Sequence, residues 1–381
     1  MKNFVKLIEQ VHALRYMKVL TEVVTNKIPV AFLSIESTAK AVADTKKLRS
    51  QGLNVKQLIT RFEPRNEDDF DVIALDEATK IHPQPEYIFT DGILAPRVAL
   101  KNFPASKVIG LDGNTNSAYE IFMTHLSDLR EVYESLIDEA SRKTFCGYWL
   151  GRISNRLGEI VYSNAAHYLI DGFIPERGAI VIEAGVLDGG TATVFAEMGY
   201  KVYGFEMDKI SYARSLPVAE ENNFVVENFA LGSYKRKAHY DATGQNSSKL
   251  IDGGAETVKV ITLDSYVRKK NLPRVDFIKL DVEGAELDIL KGAVTTIARF
   301  KPILALSAYH KFDDFWTLMN FVKSVRPDYE FAMRQSYESP EEEPSCLKDE
   351  HFFKGVDIDL LFALGLEPDT RNYNECVLFA R

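Results

Sequence analysis

Cysteine is scarce in this chain, whose 381 residues include only Cys146, Cys346 and Cys376. The three stand far apart, are odd in number and form no C-x-x-C pair. This pattern argues against a disulfide framework and against a structural zinc site, because both need paired or clustered cysteines. Disulfides belong to oxidising compartments, so we expect reduced thiols in a cytosolic protein.

The chain also lacks an excess of positive charge. Lys and Arg together number 46 against 55 Asp and Glu, which gives a net charge of −9. Nucleic acids and anionic membranes attract basic surfaces, so neither is expected as the main partner. No segment approaches the roughly 20 apolar residues of a membrane span, and residues 1–20 do not read as a secretory signal. These absences predict a cytoplasmic protein, and they leave its oligomeric state undefined.

Glycine is missing where the first half of the chain would need it to bind a nucleotide. Short apolar strands predicted at 29–35, 54–60, 71–74, 87–90 and 107–111 alternate with helical stretches such as 37–50. Such alternation predicts a small parallel, Rossmann-like sheet. The turn after the first strand, residues 34–37, has no glycine to let the backbone approach a pyrophosphate. We therefore predict an N-terminal α/β domain, residues 1–113, with a structural or substrate-facing role.

A helix-rich stretch separates this domain from a second alternation of strands and helices. Its periodic apolar run, residues 121–140, predicts a helical connector over 114–175. From residue 176 we predict a Rossmann-like, seven-stranded domain that runs to 381. The interval 337–374 is too long for a hairpin and is predicted to be an insertion, either a binding loop or a surface excursion. The strands of this domain are predicted at 179–185, 201–206, 223–230, 275–281, 302–309, 329–336 and 375–381.

Glycines and carboxylates cluster where the first two of these strands end. Open α/β sheets bind ligands outside the carboxyl ends of their strands. The loop that follows the first strand contains Gly185, Gly189 and Gly190, which permit a tight turn and close approach of a ligand to backbone N–H groups. Leu187 stands where a dinucleotide fingerprint needs glycine, so NAD and FAD fit poorly. Glu206 ends the second strand, where a carboxylate can bind both hydroxyls of a ribose. The pattern predicts a nucleoside ligand.

The segment KLDVEGAE, residues 279–286, narrows the choice of ligand. It follows an apolar strand and opens a helix, so we expect Asp281 to point into the cleft. Glu286 suits the positive end of the helix dipole and either caps the helix or serves the site.

The pattern resembles the FkbM-type methyltransferase family, S-adenosylmethionine-dependent O-methyltransferases that often act on sugars or glycan precursors. The resemblance covers about residues 116–381, and its most specific part is VDFIKLDVEGAELDILKGA, residues 275–293. The family's glycine loop often begins with Asp, and Glu183 keeps the carboxylate. The N-terminal sheet and the 337–374 insertion lie outside the minimal family pattern. The other matching segments are IEAGVLDGG (182–190), VYGFE (202–206), ITLD (261–264) and SAYHKFDDFW (307–316).

The resemblance implies S-adenosylmethionine as the cofactor and a small-molecule or glycan acceptor. Its methionine part would lie on the glycine loop, its ribose on the carboxylate of the second strand, and its adenine beside the residues that follow the second and third strands. The cofactor contacts implied in this way are Glu183, Gly185, Asp188, Gly189, Gly190, Thr191, Glu206, Met207, Asn228, Ala230 and Asp281.

Methyl transfer to a hydroxyl requires a group that removes the hydroxyl proton. Histidine suits this role because its pKa lies near neutrality. His310 follows the fifth strand and is the predicted base, with Asp281 as the second catalytic residue. Substrate contacts are predicted for Glu283, Tyr309, Lys311 and Arg334.

Two alternatives stay open at this point. Asp281, Glu283, Glu286 and His310 are compatible with a divalent metal, which favours several oxygen ligands, but their spacing is not diagnostic and we assign no metal ligand. The chain is either an enzyme or an inactive glycan or nucleotide-sugar binding protein that retains the fold, since a fold does not guarantee activity.

Overall fold

A computed structural model shows the chain folded into two units. It describes residues 1–12, 18–35, 37–60, 65–67, 69–91, 95–110, 113–154, 161–163, 165–244, 248, 250–251, 253–336 and 375–381. Within these residues the first unit draws on Met1–His125 and Cys146–Ile160, and the second on Leu126–Phe145, Val161–Tyr337 and Tyr373–Arg381. The predicted insertion at 337–374 lies outside the described residues.

The first unit contains a six-stranded sheet of order β3-β4-β2-β1-β5-β6, parallel except for β3. Every residue of β1 is buried, as expected for a strand covered on both faces of a parallel sheet. The strands are β1 (Val30–Ser34), β2 (Val55–Thr60), β3 (Arg65–Glu67), β4 (Phe70–Ala74), β5 (Tyr87–Thr90) and β6 (Lys107–Gly110). The helices are α1 (Lys2–His12), α2 (Lys18–Thr25), α3 (Thr38–Ser50), α4 (Leu75–Ala78), α5 (Ala95–Asn102) and α6 (Gly113–Thr124).

The second unit contains a seven-stranded sheet and a smaller three-stranded sheet. The large sheet has the order β15-β16-β14-β13-β7-β8-β9, and β16 runs antiparallel to both of its neighbours. The small sheet has the order β10-β12-β11. The strands are β7 (Ile180–Ala184), β8 (Lys201–Phe205), β9 (Val225–Glu227), β10 (Ala230–Leu231), β11 (Arg236–Tyr240), β12 (Glu256–Ile261), β13 (Phe277–Leu280), β14 (Ile303–Ser307), β15 (Phe331–Gln335) and β16 (Cys376–Ala380).

Helices cover the large sheet in the α/β alternation that the sequence predicts. Their bounds are α7 (Leu126–Ser135), α8 (Glu139–Ser154), α9 (Gly190–Glu197), α10 (Lys209–Asn222), α11 (Leu263–Lys269), α12 (Glu286–Lys291), α13 (Val294–Phe300) and α14 (Asp314–Val325). The predicted fold class, a seven-stranded Rossmann-like domain preceded by a smaller Rossmann-like sheet, is confirmed. In the part of the chain that the structure describes, no helix combines the length and the apolar character needed to cross a bilayer.

The single strand predicted at 223–230 is divided in the structure. Its first part, β9, forms the edge of the large sheet, and its last part, β10, pairs with β12 of the small sheet. The strands β11 and β12 were not predicted, because charged residues such as Arg236 and Lys259 alternate with the few apolar ones and leave only one weakly apolar face.

The predicted helical connector, 114–175, also differs from the structure. Its helices end with α8, and the described residues between 161 and 175 form no helix. Tyr168, Ile170 and Phe173 are instead buried in the core of the second unit, against residues of the large sheet and its helices. Gly172, with a φ of 80°, and Pro175 interrupt any helical period here. The described residues in the last part of the predicted connector thus belong to the second unit.

Candidate active site

The glycine loop between β7 and α9 is built against the end of β13. Gly185 has a φ of 80°, and a Cβ added to it would lie 1.8 Å from the carbonyl oxygen of Asp281. Only glycine fits such a close approach. Gly189, with a φ of 97°, precedes the first residue of α9. The turn therefore brings the predicted cofactor loop directly beside Asp281.

Glu206 joins this loop to the end of β8. Its two carboxylate oxygens accept hydrogen bonds from the N–H groups of Leu187 and Asp208, both at 2.8 Å. Burial raises the pKa of Glu206, and these two hydrogen bonds oppose that effect by stabilising the carboxylate. Glu206 thus lies at the end of β8 and shapes the glycine loop, while its role in binding a ribose stays a prediction.

The predicted neighbours of the adenine lie together beyond Glu206. The side-chain amide of Asn228 donates to the carbonyl oxygens of Glu206, at 2.9 Å, and Met207, at 3.2 Å. Met207 packs against the small apolar core that contains Ala230 and Tyr240. These contacts give a half-buried apolar side chain next to a polar amide, an arrangement that suits a purine.

Asp208 is a structural residue of this region that sequence reasoning missed. One of its oxygens accepts hydrogen bonds from the N–H groups of Ile210 and Ser211 at the start of α10. The other accepts from the N–H groups of Thr243 and Gly244 and from the hydroxyl of Ser248. An aspartate immediately before a helix is a common N-cap and was a readable signal. Nothing in the sequence predicted its hydrogen bonds with Thr243, Gly244 and Ser248.

Lys279, a second residue that sequence reasoning missed, is only 3% exposed. It lies opposite Glu183 in the β13–β7 pair. Its ammonium donates to the carbonyl oxygen of Gly185 at 2.9 Å and to Glu183 Oε1 at 3.3 Å. Burial raises the pKa of Glu183 to about 7, although the charge of Lys279 acts in the opposite direction. A lysine inside an apolar strand was the available signal, because lysine is rarely buried without a partner.

Asp281 is held at the centre of a polar network. Tyr168 donates its hydroxyl to Oδ2 at 2.8 Å, and Tyr309 donates to Oδ1 at 3.3 Å. The ammonium of Lys279 lies 4.0 Å from Oδ2. Burial alone would raise the pKa of Asp281, but the charges of Lys279 and His310 and the hydrogen bond from Tyr168 lower it. Asp281 is therefore an anion at neutral pH, suited to a cationic ligand.

His310 lies just beyond β14 and is surrounded by carboxylates. Its Nδ1 is 2.9 Å from Oε1 of the fully buried Glu286. Its Nε2 is 3.6 Å from Asp281 Oδ1 and 3.7 Å from Glu283 Oε1. Burial opposes the charged imidazole, but the hydrogen bond to Glu286 and the three nearby carboxylates raise the pKa of His310 to about 9. The carboxylates thus raise the pKa of His310 well above the usual histidine value of about 6.5.

Glu286 binds the turn before α12 and also contacts His310, while its role in the site stays a prediction. Its Oε1 accepts the N–H groups of Val282, at 3.0 Å, and Gly284, at 3.4 Å, so it closes the turn before α12. The same oxygen orients His310. Glu283 and Gly284 have φ values of 54° and 94° in this turn. The left-handed turn places Glu283 beside the imidazole.

The other predicted residues are distributed around this centre and beyond it. The ammonium of Lys311 contacts the carbonyl oxygen of Gly284. Exposed Asp188 accepts the N–H of Gly190 at 3.1 Å, and Thr191 lies in the first turn of α9. Arg334 binds the carboxylate of Asp138 through both terminal nitrogens, at 3.1 and 2.9 Å. That ion pair engages the guanidinium within the fold, and a substrate role for Arg334 stays a prediction.

A possible metal-binding group exists among the described residues. One ligand atom from each of Asp281, Glu286 and His310 lies within 4.8 Å of the other two. Glu286 Oε1 is already engaged by the imidazole and by two backbone N–H groups. A site that binds a divalent metal is therefore the alternative to the metal-free site that the sequence favours.

The seven-stranded sheet with its antiparallel β16, the glycine loop and the carboxylates at the strand ends form the arrangement expected of a methyltransferase fold. Residues 183–336 match the model of the methyltransferase FkbM domain. Residues 183–336 of this protein thus form a methyltransferase domain of the FkbM type, the family that the sequence resembles.

Solved structures share this fold. The crystal structure of methyltransferase FkbM from Methylobacillus flagellatus KT is similar over 95% of this chain and 93% of that chain, with 16% identity and a TM-score of 0.62. The shared fold therefore includes the N-terminal unit. An S-adenosyl-L-homocysteine complex of a methyltransferase from Geobacter sulfurreducens aligns over 54% of this chain and 84% of that chain, with 13% identity and a TM-score of 0.30, too low to support an argument. No curated protein is significantly similar in sequence.

Proposed function

We propose that this methyltransferase transfers the methyl group of S-adenosylmethionine to a hydroxyl group of a sugar, nucleotide-sugar or glycan precursor. The observation that carries this proposal is the pairing of His310 with buried Glu286 next to Asp281. A carboxylate-oriented imidazole beside the cofactor loop provides a proton acceptor, which a hydroxyl acceptor needs and an already ionised acceptor does not.

The residues at these strand ends fit the amino group of this cofactor. Glu183, Glu206 and Asp281 contribute three carboxyl groups beside the ammonium of Lys279 and the imidazole of His310. Glu183 Oε2 is buried and has no hydrogen-bond partner among the described residues. An unsatisfied buried carboxylate oxygen is costly unless a ligand donates to it. The arrangement favours a ligand with an ammonium group that donates to Glu183.

The cofactor, when bound, supplies a methyl group activated by a sulfonium centre. The protein's part is to align the acceptor oxygen with that methyl group, which contributes to rate through positioning. Nε2 of neutral His310 would take the hydroxyl proton, while Nδ1 keeps its contact with Glu286. Among the described residues Nε2 makes no hydrogen bond, so its lone pair is available in the neutral imidazole. Asp281 stays ionised and stabilises the positive charge that His310 acquires.

Cofactor binding and product analysis together test this proposal. Calorimetry should show S-adenosylhomocysteine binding to the full chain, with no comparable binding of NAD. The protein should then be incubated with isotope-labelled S-adenosylmethionine and a panel of nucleotide-sugars and oligosaccharides, and label should appear as an O-methyl ether. Label on nitrogen or carbon would contradict hydroxyl transfer. Tight cofactor binding without any methylated sugar would instead favour the inactive sugar-binding protein.

A further inference from the structure

Tyr168 precedes the matched domain, residues 183–336, yet its hydroxyl lies inside the candidate active site. It is 2% exposed and comes from the non-helical segment before β7. The distance in sequence from Tyr168 to Asp281 is 113 residues. A residue outside the matched domain therefore contacts the most central carboxylate of the site.

The two tyrosines that bind Asp281 constrain the plane of its carboxylate. Tyr168 donates to Oδ2 at 2.8 Å and Tyr309 to Oδ1 at 3.3 Å. Ser307 Oγ lies 3.4 Å from the Tyr168 hydroxyl and offers it a second contact. Because each carboxylate oxygen has its own donor, the group cannot rotate about its last bond without breaking a hydrogen bond. The bond from Tyr168 is the shorter of the two.

The ring of Tyr168 is itself held from two sides. His167 stacks on it with the ring centroids 3.8 Å apart and the planes 16° from parallel. The ammonium of Lys279 lies 5.0 Å from the ring centroid, within the range of a cation–π contact. Tyr168 also has a φ of 62°, which is uncommon for a residue other than glycine. Such a conformation persists where the surrounding contacts determine it.

We propose that Tyr168 is a positioning residue of the cofactor site, which holds the Asp281 carboxylate in the orientation that the cofactor meets. This inference rests on the proposed role of Asp281 in cofactor binding. It extends the functional part of the chain to a segment before the FkbM domain. Burial also raises the pKa of Tyr168 well above its usual value, so the hydroxyl keeps its proton and remains a donor.

The test compares two tyrosine-to-phenylalanine variants of the full chain. Tyr168→Phe removes the donor to Asp281. Tyr329→Phe is the matched control, because Tyr329 is equally confined, 6% exposed, and donates to a backbone carbonyl oxygen, that of Pro302, at 2.7 Å. Calorimetry with S-adenosylhomocysteine needs no acceptor. We expect about a tenfold loss of affinity in Tyr168→Phe, on the scale of a hydrogen bond to a charged group, and wild-type affinity in Tyr329→Phe.

A double-mutant cycle with Asp281→Asn separates a positioning role from general destabilisation. If Tyr168 acts through Asp281, adding Tyr168→Phe to Asp281→Asn should cause little further loss of affinity. Tyr168→Phe with wild-type affinity, or losses that simply multiply in the double variant, would overturn the proposal. Wild-type affinity in Asp281→Asn would also overturn it, while leaving the cofactor assignment intact. Failure of the wild-type protein to bind S-adenosylhomocysteine would instead refute the proposed function itself.

Discussion

At the scale of single residues, the site shifts the pKa values of two ionisable groups in opposite directions. Asp281 has a lowered pKa, and the pKa of His310 is raised to about 9. Groups in one site whose environments push their pKa values apart are candidates for different roles. In the proposed mechanism the carboxylate keeps its charge, and the imidazole is the group that exchanges a proton.

Replacing His310 tests its role as the proton acceptor. His310→Ala should lower turnover by about 10²–10⁴-fold, the usual contribution of a general base, with little change in affinity for S-adenosylhomocysteine, since the predicted cofactor contacts come from other strand ends. His239→Ala, at an exposed position of β11, is the control substitution. Near-normal turnover in His310→Ala would assign the base elsewhere. Loss of turnover on addition of a chelator would favour the metal alternative.

The pH dependence of turnover provides an independent check on His310. Only the neutral imidazole can accept a proton, and its fraction grows as pH rises through the pKa of about 9. The rate should therefore keep increasing above pH 8. Glu286→Gln removes the partner whose hydrogen bond and charge raise this pKa, so the rise should move to lower pH in that variant. A wild-type rate that levels off below pH 7 would contradict the assignment.

At the scale of elements, the site depends on how closely β7 and β13 approach at their ends. These strands pair in parallel, with Ala184 opposite Leu280. The chain then turns at Gly185 on one side and at Glu283 and Gly284 on the other. Because Gly185 faces the carbonyl oxygen of Asp281, the predicted cofactor loop packs directly against the end of β13.

A pair of glycine variants tests this close approach. Gly185→Ala would add both left-handed strain and a Cβ 1.8 Å from the Asp281 carbonyl oxygen. Gly178→Ala imposes similar strain, with a φ of 84°, in open space. Gly178→Ala should cost about 1–2 kcal/mol of stability and leave cofactor binding intact. Gly185→Ala should destabilise more and abolish binding of S-adenosylhomocysteine. Equal melting temperatures and equal affinities for S-adenosylhomocysteine in both variants would show that the glycine loop rearranges to accommodate the added Cβ.

At the scale of the whole molecule, the chain passes between the two units more than once. Residues 126–145 belong to the second unit and 146–154 to the first, and the second unit resumes at Val161. Phe145 packs its ring edge-on against Phe315, and Asp138 pairs with Arg334 inside the second unit. The second unit thus begins well before the matched domain.

Two truncated chains test this division. A protein of residues 176–381 loses Tyr168, Phe145 and Asp138, which leaves the guanidinium of Arg334 without its carboxylate, so it should show no cooperative thermal unfolding. A protein of residues 114–381 keeps them and should still bind S-adenosylhomocysteine. It should be poorly soluble, because Tyr148 and Trp149 are buried in the first unit. Cooperative unfolding and cofactor binding in the shorter protein would contradict this reading.

The sequence by itself determined the alternation of strands and helices and the location of Glu183, Glu206, Asp281 and His310 at one edge of the sheet. This worked because parallel strands end at the same edge, so residues far apart in sequence come together by rule. The strand that divides into β9 and β10 was outside that rule, because one periodic run cannot show that its two ends pair in different sheets.

Only the tertiary structure decided the partners of those residues. Tyr168 reaches Asp281 across 113 positions, and Lys279 reaches Gly185 across 94. Such contacts depend on how side chains pack in three dimensions, and local periodicity carries no record of them. The pKa of His310 could not be predicted from the sequence either. It depends on burial and on the distances to three carboxylates, those of Glu286, Asp281 and Glu283. Local pattern therefore specifies which edge bears the site, and packing specifies its charges and its geometry.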